Sequence, residues 1–341
     1  MARSELTIDL AAVRSNVRTL LRALEDAELW AVVKANAYGH GAADVAGAAL
    51  GAGATALCVA TVAEALSLRA EFRETRIIVM GPTGSSREVA DAREAKLELV
   101  VSTREIPPGV RVHLKLDTGM GRWGMSELFD SPPFEVVGLM SHLATADSDS
   151  VYADWQIERF RDATAEYTHL TRHIANSAGA LRYPTARFDA ARCGIALYGL
   201  SPFGTDPAED GLLPALAWTS QVAHTRLLRA GESTGYGRRF IAERDTWIGI
   251  VPVGYADGFR RDLTGTEVRV AGELRRVVGT ISMDAFAVEL DRDVPSGTPV
   301  TLIGHGVLAE SHARVAGTIT YELVSRLSSD PARARRVVID G

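Results

Sequence analysis

The sequence contains very little lysine and very little cysteine. Only three of its 37 basic residues are lysines (Lys34, Lys96 and Lys115), and all the others are arginine. The two cysteines, Cys58 and Cys193, lie far apart in apolar runs. This pattern excludes a disulfide framework and favours buried thiols in a reducing compartment.

The sequence also lacks a long hydrophobic run and an excess of positive charge. No run approaches the roughly 18 residues of a membrane span, and the N-terminal residues lack the apolar core of a signal peptide. The net charge of -6 provides no basic surface for nucleic acid or for an anionic membrane. We therefore expect a cytoplasmic globular protein with no nucleic-acid and no membrane partner.

The scarcity of lysine draws attention to Lys34, which follows an apolar run in the segment AVVKANAYGHG. Codon bias can replace surface lysines by arginines because both are solvated cations. A nucleophilic lysine cannot be replaced in this way, since a guanidinium does not lose its proton in proteins. Two interpretations stay open at this point: a strand-end lysine that reaches solvent, and a lysine with a chemical role.

The first 200 residues alternate short apolar runs with amphipathic stretches. This alternation is typical of parallel strands that are buried on both faces and separated by helices. Two stretches predict helices: 61–72, where Thr61 and Glu64 have capping-box spacing, and 153–170. The apolar runs number eight, and they cover residues 30–33, 56–60, 76–80, 97–101, 110–116, 134–140, 173–175 and 187–197.

Eight such units predict a (β/α)8 TIM-like barrel, whose active site lies at the carboxyl ends of the strands. Several polar residues fall at or just after these ends: Lys34, Asp117, His142, Ser177 and Arg192. After residue 210 the pattern changes to short strands with period-two alternation and Gly or Pro turns. The predicted fold class is therefore α/β plus all-β. We place the barrel at residues 8–210 and a mostly β C-terminal domain at 211–341, with residues 1–7 added to it.

Two local motifs allow other interpretations. Gly119, Gly121 and Gly124 form a literal GxGxxG, but they lie in mid-chain and outside a first βα unit, so a dinucleotide site is disfavoured. His169 and His173 have the i,i+4 spacing of metal ligands, but the segment HLTRH lacks the glutamate of a zinc-protease helix. We interpret them as ordinary histidines and predict no metal site.

Eight segments of the sequence form an ordered set. They are VVKANAYGHG (32–41), KLDTGMGRWG (115–124), SHLATAD (141–147), ANSAG (175–179), RCGIALYG (192–199), VPVGYADG (251–258), GTISMD (279–284) and TITYE (318–322). Taken together and in this order, they closely resemble the alanine racemase family. The resemblance extends from about Leu6 to about Arg326.

The resemblance implies a catalytic role for four residues. Lys34 would hold pyridoxal 5'-phosphate as a Schiff base, which explains why a primary amine persists at this position. Racemisation needs two acid–base groups on opposite faces of one carbon, and the resemblance assigns these to Lys34 and Tyr255. His142 and Arg192 would form a hydrogen-bond chain toward Tyr255, and Arg192 would also bind the pyridine nitrogen of the cofactor.

The resemblance also implies the remaining binding residues. Tyr38, Ser177, Tyr321 and the backbone amides of Gly194 and Ile195 would bind the cofactor phosphate. Arg122 and Met283 would lie on the carboxylate side of the substrate. Lys115 matches a lysine that is carbamylated in many members and that orients Arg122; alternatively, it pairs with Asp117 or Asp284.

The function implied is that of an alanine racemase, which supplies D-alanine for peptidoglycan. Family members are homodimers in which Tyr255 would be donated across the interface. Thr280 stands where members commonly carry an arginine, the tail SRLSSDPARARRVV departs from the family ending, and the chain is somewhat short. These departures leave open a broader or different amino-acid racemase. More distant alternatives are a decarboxylase of the same fold type and a carrier of pyridoxal phosphate that is not an enzyme.

Overall fold

A computed structural model describes residues 3–129 and 135–341 of the chain. Residues 1–2 of the predicted C-terminal domain and residue 134 of the sixth apolar run lie outside this description. The chain divides into two compact units. We call Ala12–Phe203 with Ala208–Leu213 the barrel unit, and the remainder, from the N-terminus to Ala11 with Gly204–Pro207 and Pro214–Gly341, the β unit.

The first strand, β1 (Ser4–Asp9), belongs to the β unit, and the next eight strands form the barrel unit. They pair in parallel in the order β8-β7-β6-β5-β4-β3-β2-β9. These strands are β2 (Glu28–Val32), β3 (Ala56–Val59), β4 (Arg76–Val79), β5 (Glu98–Val101), β6 (Arg111–Lys115), β7 (Val136–Met140), β8 (Thr171–His173) and β9 (Ala190–Cys193). Each of the eight apolar runs overlaps one of these strands, although run 173–175 shares only His173 with β8, and the predicted barrel is confirmed.

Two backbone hydrogen bonds join the first and last strands of this order. The Asp189 N–H donates to the Arg172 carbonyl and the Arg192 N–H donates to the Ala175 carbonyl, each at 3.0 Å. They connect the chain around β8 and β9, so the sheet is a nearly closed parallel barrel. Its strands are buried because helices cover a parallel sheet on its outer face.

Seven helices accompany these strands. They are α1 (Leu10–Leu24), α2 (Lys34–Tyr38), α3 (Ala42–Gly51), α4 (Val62–Arg69), α5 (Ser86–Glu94), α6 (Ser150–Ala163) and α7 (Ser177–Arg182). The capping box predicted at Thr61 and Glu64 is present at the start of α4, and Ser85 with Glu88 forms a second one at α5. Capping boxes satisfy amide groups that have no partner within the helix itself.

The helix predicted at 153–170 was placed too far along the chain. Asp149 caps α6 at its start, and the helix ends at Ala163. The Thr164 hydroxyl donates to the Phe160 carbonyl at 2.7 Å, a local bond that competes with helix continuation. Tyr167 and Leu170, which the predicted helix included, therefore lie in the turns that follow.

The β unit is built on a nine-stranded sheet of the order β11-β14-β17-β16-β15-β18-β10-β1-β19. All its pairs are antiparallel except β1 with β19. The additional strands are β10 (Leu216–Gln221), β11 (His224–Leu228), β12 (Ser233–Thr234), β13 (Phe240–Ile241), β14 (Thr246–Val251), β15 (Glu267–Val270), β16 (Glu273–Val278), β17 (Phe286–Leu290), β18 (Pro299–Ile303) and β19 (Ala334–Ile339). The unit also holds α8 (Ala309–Ala316) and α9 (Thr320–Ser325), and it confirms the mostly β domain. Across the described residues, none of the helices has the length and apolarity to cross a membrane.

Candidate active site

The carboxyl ends of the barrel strands carry the polar residues that the sequence predicted there. Lys34 lies two residues after β2 and His142 two residues after β7, while Arg192 is the penultimate residue of β9. Asp117 and Ser177 follow β6 and β8. Because parallel strands end at the same mouth of a barrel, these side chains share one rim.

Lys34 begins a left-handed helical turn, α2, which the sequence did not predict. Ala35, Asn36 and Ala37 have φ and ψ near +52° and +49°, and Tyr38 and Gly39 also have positive φ. Residues with a Cβ atom rarely occupy this region, and consecutive ones almost never do. Such strain persists only where the surrounding structure enforces it, and it is concentrated at functional sites.

Tyr198 is one of the groups that support this turn. It is fully buried, and its hydroxyl donates to the Val32 carbonyl at 2.7 Å. Its ring stacks on His40, with centroids 4.5 Å apart, and packs against Tyr38 at 4.9 Å. Tyr198 therefore contacts Val32 at the end of β2 and also Tyr38 and His40 at the end of the turn, and it holds these parts of the chain in place.

The Lys34 amine lies in a partly buried and mostly cationic environment. Burial lowers the pKa of Lys34, and the charges of Arg122 and Arg192 lower it further. Glu64 and the Cys58 thiol act in the opposite direction. An amine of lowered pKa is more often unprotonated, which is the form that accepts a proton or attacks a carbonyl.

Hydroxyl and amide groups near the ends of β8 and β9 form a small cradle. The Ser177 hydroxyl accepts the Gly194 N–H at 3.0 Å and the Ala196 N–H at 3.4 Å. A Cβ atom at Gly194 would lie only 2.5 Å from the Tyr38 hydroxyl, so this position needs glycine. Burial raises the pKa of Tyr38, which keeps its phenol a neutral donor. Convergent neutral donors of this kind suit a phosphate.

Arg192 is buried and makes several hydrogen bonds across the barrel. Its Nη2 donates to the Ser141 carbonyl at 2.7 Å and to His142 Nδ1 at 3.2 Å. Its Nη1 donates to His173 Nδ1 at 2.6 Å and to the His173 carbonyl at 3.0 Å. Burial lowers the pKa of Arg192 to about 10, so the guanidinium remains charged at neutral pH.

These contacts continue into a chain of buried polar groups. His173 Nε2 lies 2.9 Å from His113 Nδ1, and His113 Nε2 lies 2.8 Å from Glu98 Oε2. Since a guanidinium can only donate, His173 must accept at Nδ1 and carry its proton on Nε2. The same logic orients His113, so every bond of the chain donates in the direction from Arg192 to Glu98.

Burial and neighbouring cations keep these histidines neutral. They lower the pKa of His113 to about 3 and place those of His142 and His173 well below the ordinary value. His142 accepts from Arg192 at Nδ1, so it carries a proton on Nε2. His173, which the sequence singled out only for its i,i+4 spacing from His169, belongs instead to the series of hydrogen bonds from Arg192 to Glu98. Over the described part of the chain, no group of three or more His, Cys, Asp or Glu side chains is placed to hold a metal.

The last residue of β6 and the loop that follows it bring two cations to one aromatic ring. The Trp123 ring centroid lies 5.4 Å from Lys115 Nζ and 5.2 Å from the Arg122 guanidinium carbon. Burial, followed by the charges of Arg192 and Arg122, lowers the pKa of Lys115 to about 8.

The Asp117 carboxylate accepts the N–H groups of Gly119 and Gly121 in the loop after β6. The three glycines of the GxGxxG therefore belong to a loop, and the dinucleotide alternative is rejected.

In the β unit, Tyr255 and Met283 lie on two loops that are hydrogen-bonded to each other. The Tyr255 N–H donates to the Ser282 carbonyl and the Ala256 N–H to the Met283 carbonyl, both at 3.1 Å. The side chains of Tyr255 and Met283 are about half exposed.

Two other residues singled out by the sequence also lie in the β unit. Thr280 donates its hydroxyl to the Tyr236 carbonyl at 2.8 Å. Tyr321 lies in α9.

Comparisons with known proteins agree with this arrangement over the whole chain. The family model described as "Alanine racemase, N-terminal domain" matches residues 8–202, and "Alanine racemase, C-terminal domain" matches residues 215–337. Alanine racemase 1 of Bacillus subtilis (strain 168) is 42% identical over 94% of this chain and 90% of its own length.

The chain belongs to the alanine racemase family.

Solved structures of this family share the fold. The enzyme from D-cycloserine-producing Streptomyces lavendulae superimposes with a TM-score of 0.91 at 37% identity, covering 100% of this chain and 98% of that one. The biosynthetic alanine racemase of Pseudomonas aeruginosa has a TM-score of 0.92 at 36% identity, covering 99% and 100%. An alanine racemase of Bacillus anthracis, solved with bound L-Ala-P, has a TM-score of 0.87 at 34% identity, covering 100% and 96%.

The sequence reasoning missed several polar residues that the alanine racemase fold buries. Glu98, His113, His173 and Tyr198 are all buried, but none was singled out as part of the site. Glu98 and His113 lie inside the apolar runs 97–101 and 110–116. A polar residue within an otherwise buried strand is a signal that could have identified these two, because such a group needs a partner.

Proposed function

We propose that this protein interconverts L-alanine and D-alanine with pyridoxal 5'-phosphate as its cofactor. The observation that carries the proposal is the placement of Lys34 in a strained left-handed turn at the barrel mouth, where its pKa is lowered. Membership of the alanine racemase family supports the substrate, since the relatives bear that name. We further propose that the protein acts in the cytoplasm and supplies D-alanine for peptidoglycan.

The residues of the barrel unit fit this cofactor. Lys34 would bind it covalently, while the Tyr38 and Ser177 hydroxyls and the Gly194 and Ile195 amides would hold its phosphate. Tyr321, on α9 of the β unit, would also bind the phosphate. The cradle around Gly194 leaves no room for a side chain, as expected where backbone amides approach an anion. Arg192 would donate to the ring nitrogen. When bound, the cofactor would serve as an electron sink that accepts negative charge from the substrate α-carbon.

Two groups of the protein would move the α-proton. Lys34 Nζ would remove or return it on one face, and the Tyr255 oxygen would do so on the opposite face. A tyrosine has an ordinary pKa near 10 and needs help to act as a base at neutral pH. His142, neutral and protonated on Nε2, could stabilise the phenolate by donating a hydrogen bond to it.

We propose that Arg122 and Met283 lie on the carboxylate side of the substrate, and that Lys115 is carbamylated. The pKa of Lys115, about 8, supports the second point because carbon dioxide reacts with the unprotonated amine. Carbamylation would turn a cation into an anion beside Arg122. Intact mass spectrometry under native conditions should detect the mass of one added CO2, which Lys115→Arg should abolish. An unmodified Lys115 amine in high-resolution density would contradict this proposal.

The proposed function is tested by racemisation of a panel of L-amino acids in deuterated water, followed by chiral chromatography. We expect L-alanine to be converted well above the others, with deuterium at Cα. Lys34→Ala and Tyr255→Phe should each lose roughly 10²–10⁴-fold in rate, while the exposed control Lys96→Ala should remain active. Faster conversion of serine or lysine would favour a different racemase on this scaffold. Loss of CO2 without racemisation would favour a decarboxylase, and a bound cofactor with neither activity would favour a carrier.

We also propose a homodimer in which the partner copy supplies Tyr255. The half-exposed side chain of Tyr255 on the β unit is compatible with this role. Mixing the Lys34→Ala and Tyr255→Phe proteins tests it, because a mixed dimer would contain one site with both bases intact. Regained activity on mixing is the expected result. No regained activity, with subunit exchange demonstrated by mass spectrometry, would contradict the proposal.

A further inference from the structure

We propose that Glu64 is a positioning residue for Lys34, which holds the left-handed turn in place in addition to capping α4. This inference rests on the proposed function, since it concerns the same amine. It starts from the two carboxylate oxygens of Glu64, which bind different parts of the chain. Sequence spacing alone had assigned this residue only to the cap.

One oxygen of Glu64 binds the residue next to Lys34. Oε1 accepts the Ala35 N–H at 2.7 Å. The other oxygen, Oε2, accepts the Ala60 N–H at 2.7 Å and the Thr61 N–H at 3.2 Å. A single carboxylate therefore ties the beginning of α2 to the junction between β3 and α4.

The turn needs such a contact because of its conformation. The first N–H groups of a helical segment have no partner within the segment. Within α2, the Ala37 N–H donates to the Val33 carbonyl and the Gly39 N–H to the Ala35 carbonyl. The Ala35 N–H points instead to Glu64, and Ala35 is the first residue with positive φ. Glu64 thus fixes the peptide at which the chain changes from strand to left-handed turn.

Glu64 also supplies negative charge where the surroundings are cationic. Arg122 and Arg192 lower the pKa of Lys34 beyond the effect of burial, whereas Glu64 raises it, with a smaller contribution in the same direction from the Cys58 thiol. Two further titratable groups interact with Lys34, namely Lys115 and His142. Glu64 is the carboxylate in this set, so removing its charge should shift the amine further toward the unprotonated form.

The chain contains a matched control for this role. Glu88 occupies the same third helical position in the capping box of α5. Its carboxylate accepts the N–H groups of Gly84 at 2.8 Å and Ser85 at 3.0 Å, which are part of its own helix start. Glu64 and Glu88 thus share the capping function, and the contact to the lysine turn distinguishes Glu64.

The test measures the Lys34 pKa in the apoprotein by NMR of ¹³Cε-labelled lysine. The three lysines of the chain give three signals, which Lys96→Arg and Lys115→Arg assign. In Glu64→Gln we expect the Lys34 pKa to fall by at least about 0.5, whereas Glu88→Gln should leave it unchanged. Racemisation of L-alanine by the holoenzyme should fall roughly tenfold or more in Glu64→Ala but not in Glu88→Ala.

The outcomes separate the possibilities. If the Glu64 and Glu88 variants lose the same stability and show the same Lys34 pKa and the same activity, Glu64 is only a helix cap and the inference is overturned. If Glu64→Ala does not fold, the NMR measurement on Glu64→Gln still decides the question. If the unmodified protein does not racemise alanine, the proposed function fails, whereas the pKa comparison still tests the link between Glu64 and Lys34.

Discussion

Three histidines of the barrel unit are neutral: His113 and His173, which are buried, and His142, which is partly buried. The hydrogen bonds that begin at Arg192 define where each carries its proton. At the scale of single residues, these proton positions require that every donor faces an acceptor in the series of hydrogen bonds from Arg192 to Glu98. Glu98 completes the chain, and Arg76 and Arg111 pair with its carboxylate. A partly satisfied buried network would be costlier than an apolar core, so these residues are expected to act as a set.

The histidines predict a pH dependence of stability. The pKa of His113 is about 3 in the folded protein and about 6.5 when unfolded, so the unfolded chain binds the proton more tightly. The free energy of unfolding should therefore fall as the pH drops below 6.5, by about 2 kcal/mol at pH 5 from His113 alone. His142 and His173 should act in the same direction.

Urea unfolding at pH 7.5, 6 and 5 measures this loss. His113→Gln should reduce the slope of stability against pH, and the exposed control His224→Gln should leave it unchanged. Equal stability at pH 7.5 and pH 5 would show that the buried histidines do not titrate in this way.

Gly194 gives a second prediction at the residue scale. In Gly194→Ala the added Cβ would displace the Tyr38 hydroxyl, which lies 2.5 Å away and belongs to a buried side chain. We expect the affinity for pyridoxal 5'-phosphate to fall at least roughly tenfold, equivalent to about 1.4 kcal/mol, with the fold retained. Fluorescence titration of the apoprotein with the cofactor provides the measurement.

Gly51→Ala is the control for this change. An added Cβ at Gly51 meets no atom within 4 Å, and alanine favours helix, so cofactor affinity should be unaffected. Wild-type affinity in Gly194→Ala would mean that the cradle does not bind the phosphate.

At the scale of elements, the C-terminal segment connects two loops of the β unit. The side chain of Asp257 is buried, accepts the Gly254 N–H at 2.8 Å and pairs with Arg333 at 3.0 Å. Arg333 also pairs with Asp284, close to Met283, at 3.1 Å. Arg333, the residue before β19, therefore links the loops of Tyr255 and Met283.

Arg333→Gln should loosen these loops and lower the rate of L-alanine racemisation roughly tenfold, because the second base would be less well positioned. Arg335→Gln is the control, since Arg335 pairs with Glu5 at the surface. Steady-state kinetics with both enantiomers, together with circular dichroism to monitor folding, would measure the effect. If both substitutions lowered the racemisation rate equally, Arg333 would contribute only to surface stability and would not position the loops.

At the scale of the whole molecule, the two ends of the chain meet in one sheet. β1 lies between β10 and β19, and Ser4 is paired with Ala334 in parallel register. Ile8 on β1 is fully buried. The N-terminal residues thus complete a unit whose other strands follow more than 200 residues later.

Ile8→Ala should destabilise the β unit by about 2–5 kcal/mol, because the truncation leaves a cavity in its core. Hydrogen exchange measured by mass spectrometry should show faster exchange in β10 and β19 than in the barrel strands. Val338→Ala, at an exposed position of β19, is the control and should change little. Equal acceleration in both units would mean that they unfold together.

Much of this protein was determined by the sequence alone. The apolar runs identified all eight barrel strands, because strands buried on both faces need continuous apolar residues. The spacing of Thr61 and Glu64 identified a helix start, because a capping box is a local interaction. The catalytic assignments to Lys34 and Tyr255 came from the family resemblance, and they stay predictions.

Only the tertiary structure determined the features that require contacts between residues far apart in the sequence. The left-handed turn after Lys34 opposes the preference of alanine for right-handed helix, so local propensity could not predict it. The chain from Arg192 to Glu98 joins four strands, and its proton positions follow only from contacts across the barrel. Glu64 illustrates the difference. Its capping role follows from a spacing of three residues, whereas its bond to Ala35, 29 residues away, exists only because the barrel brings β2 and β3 side by side.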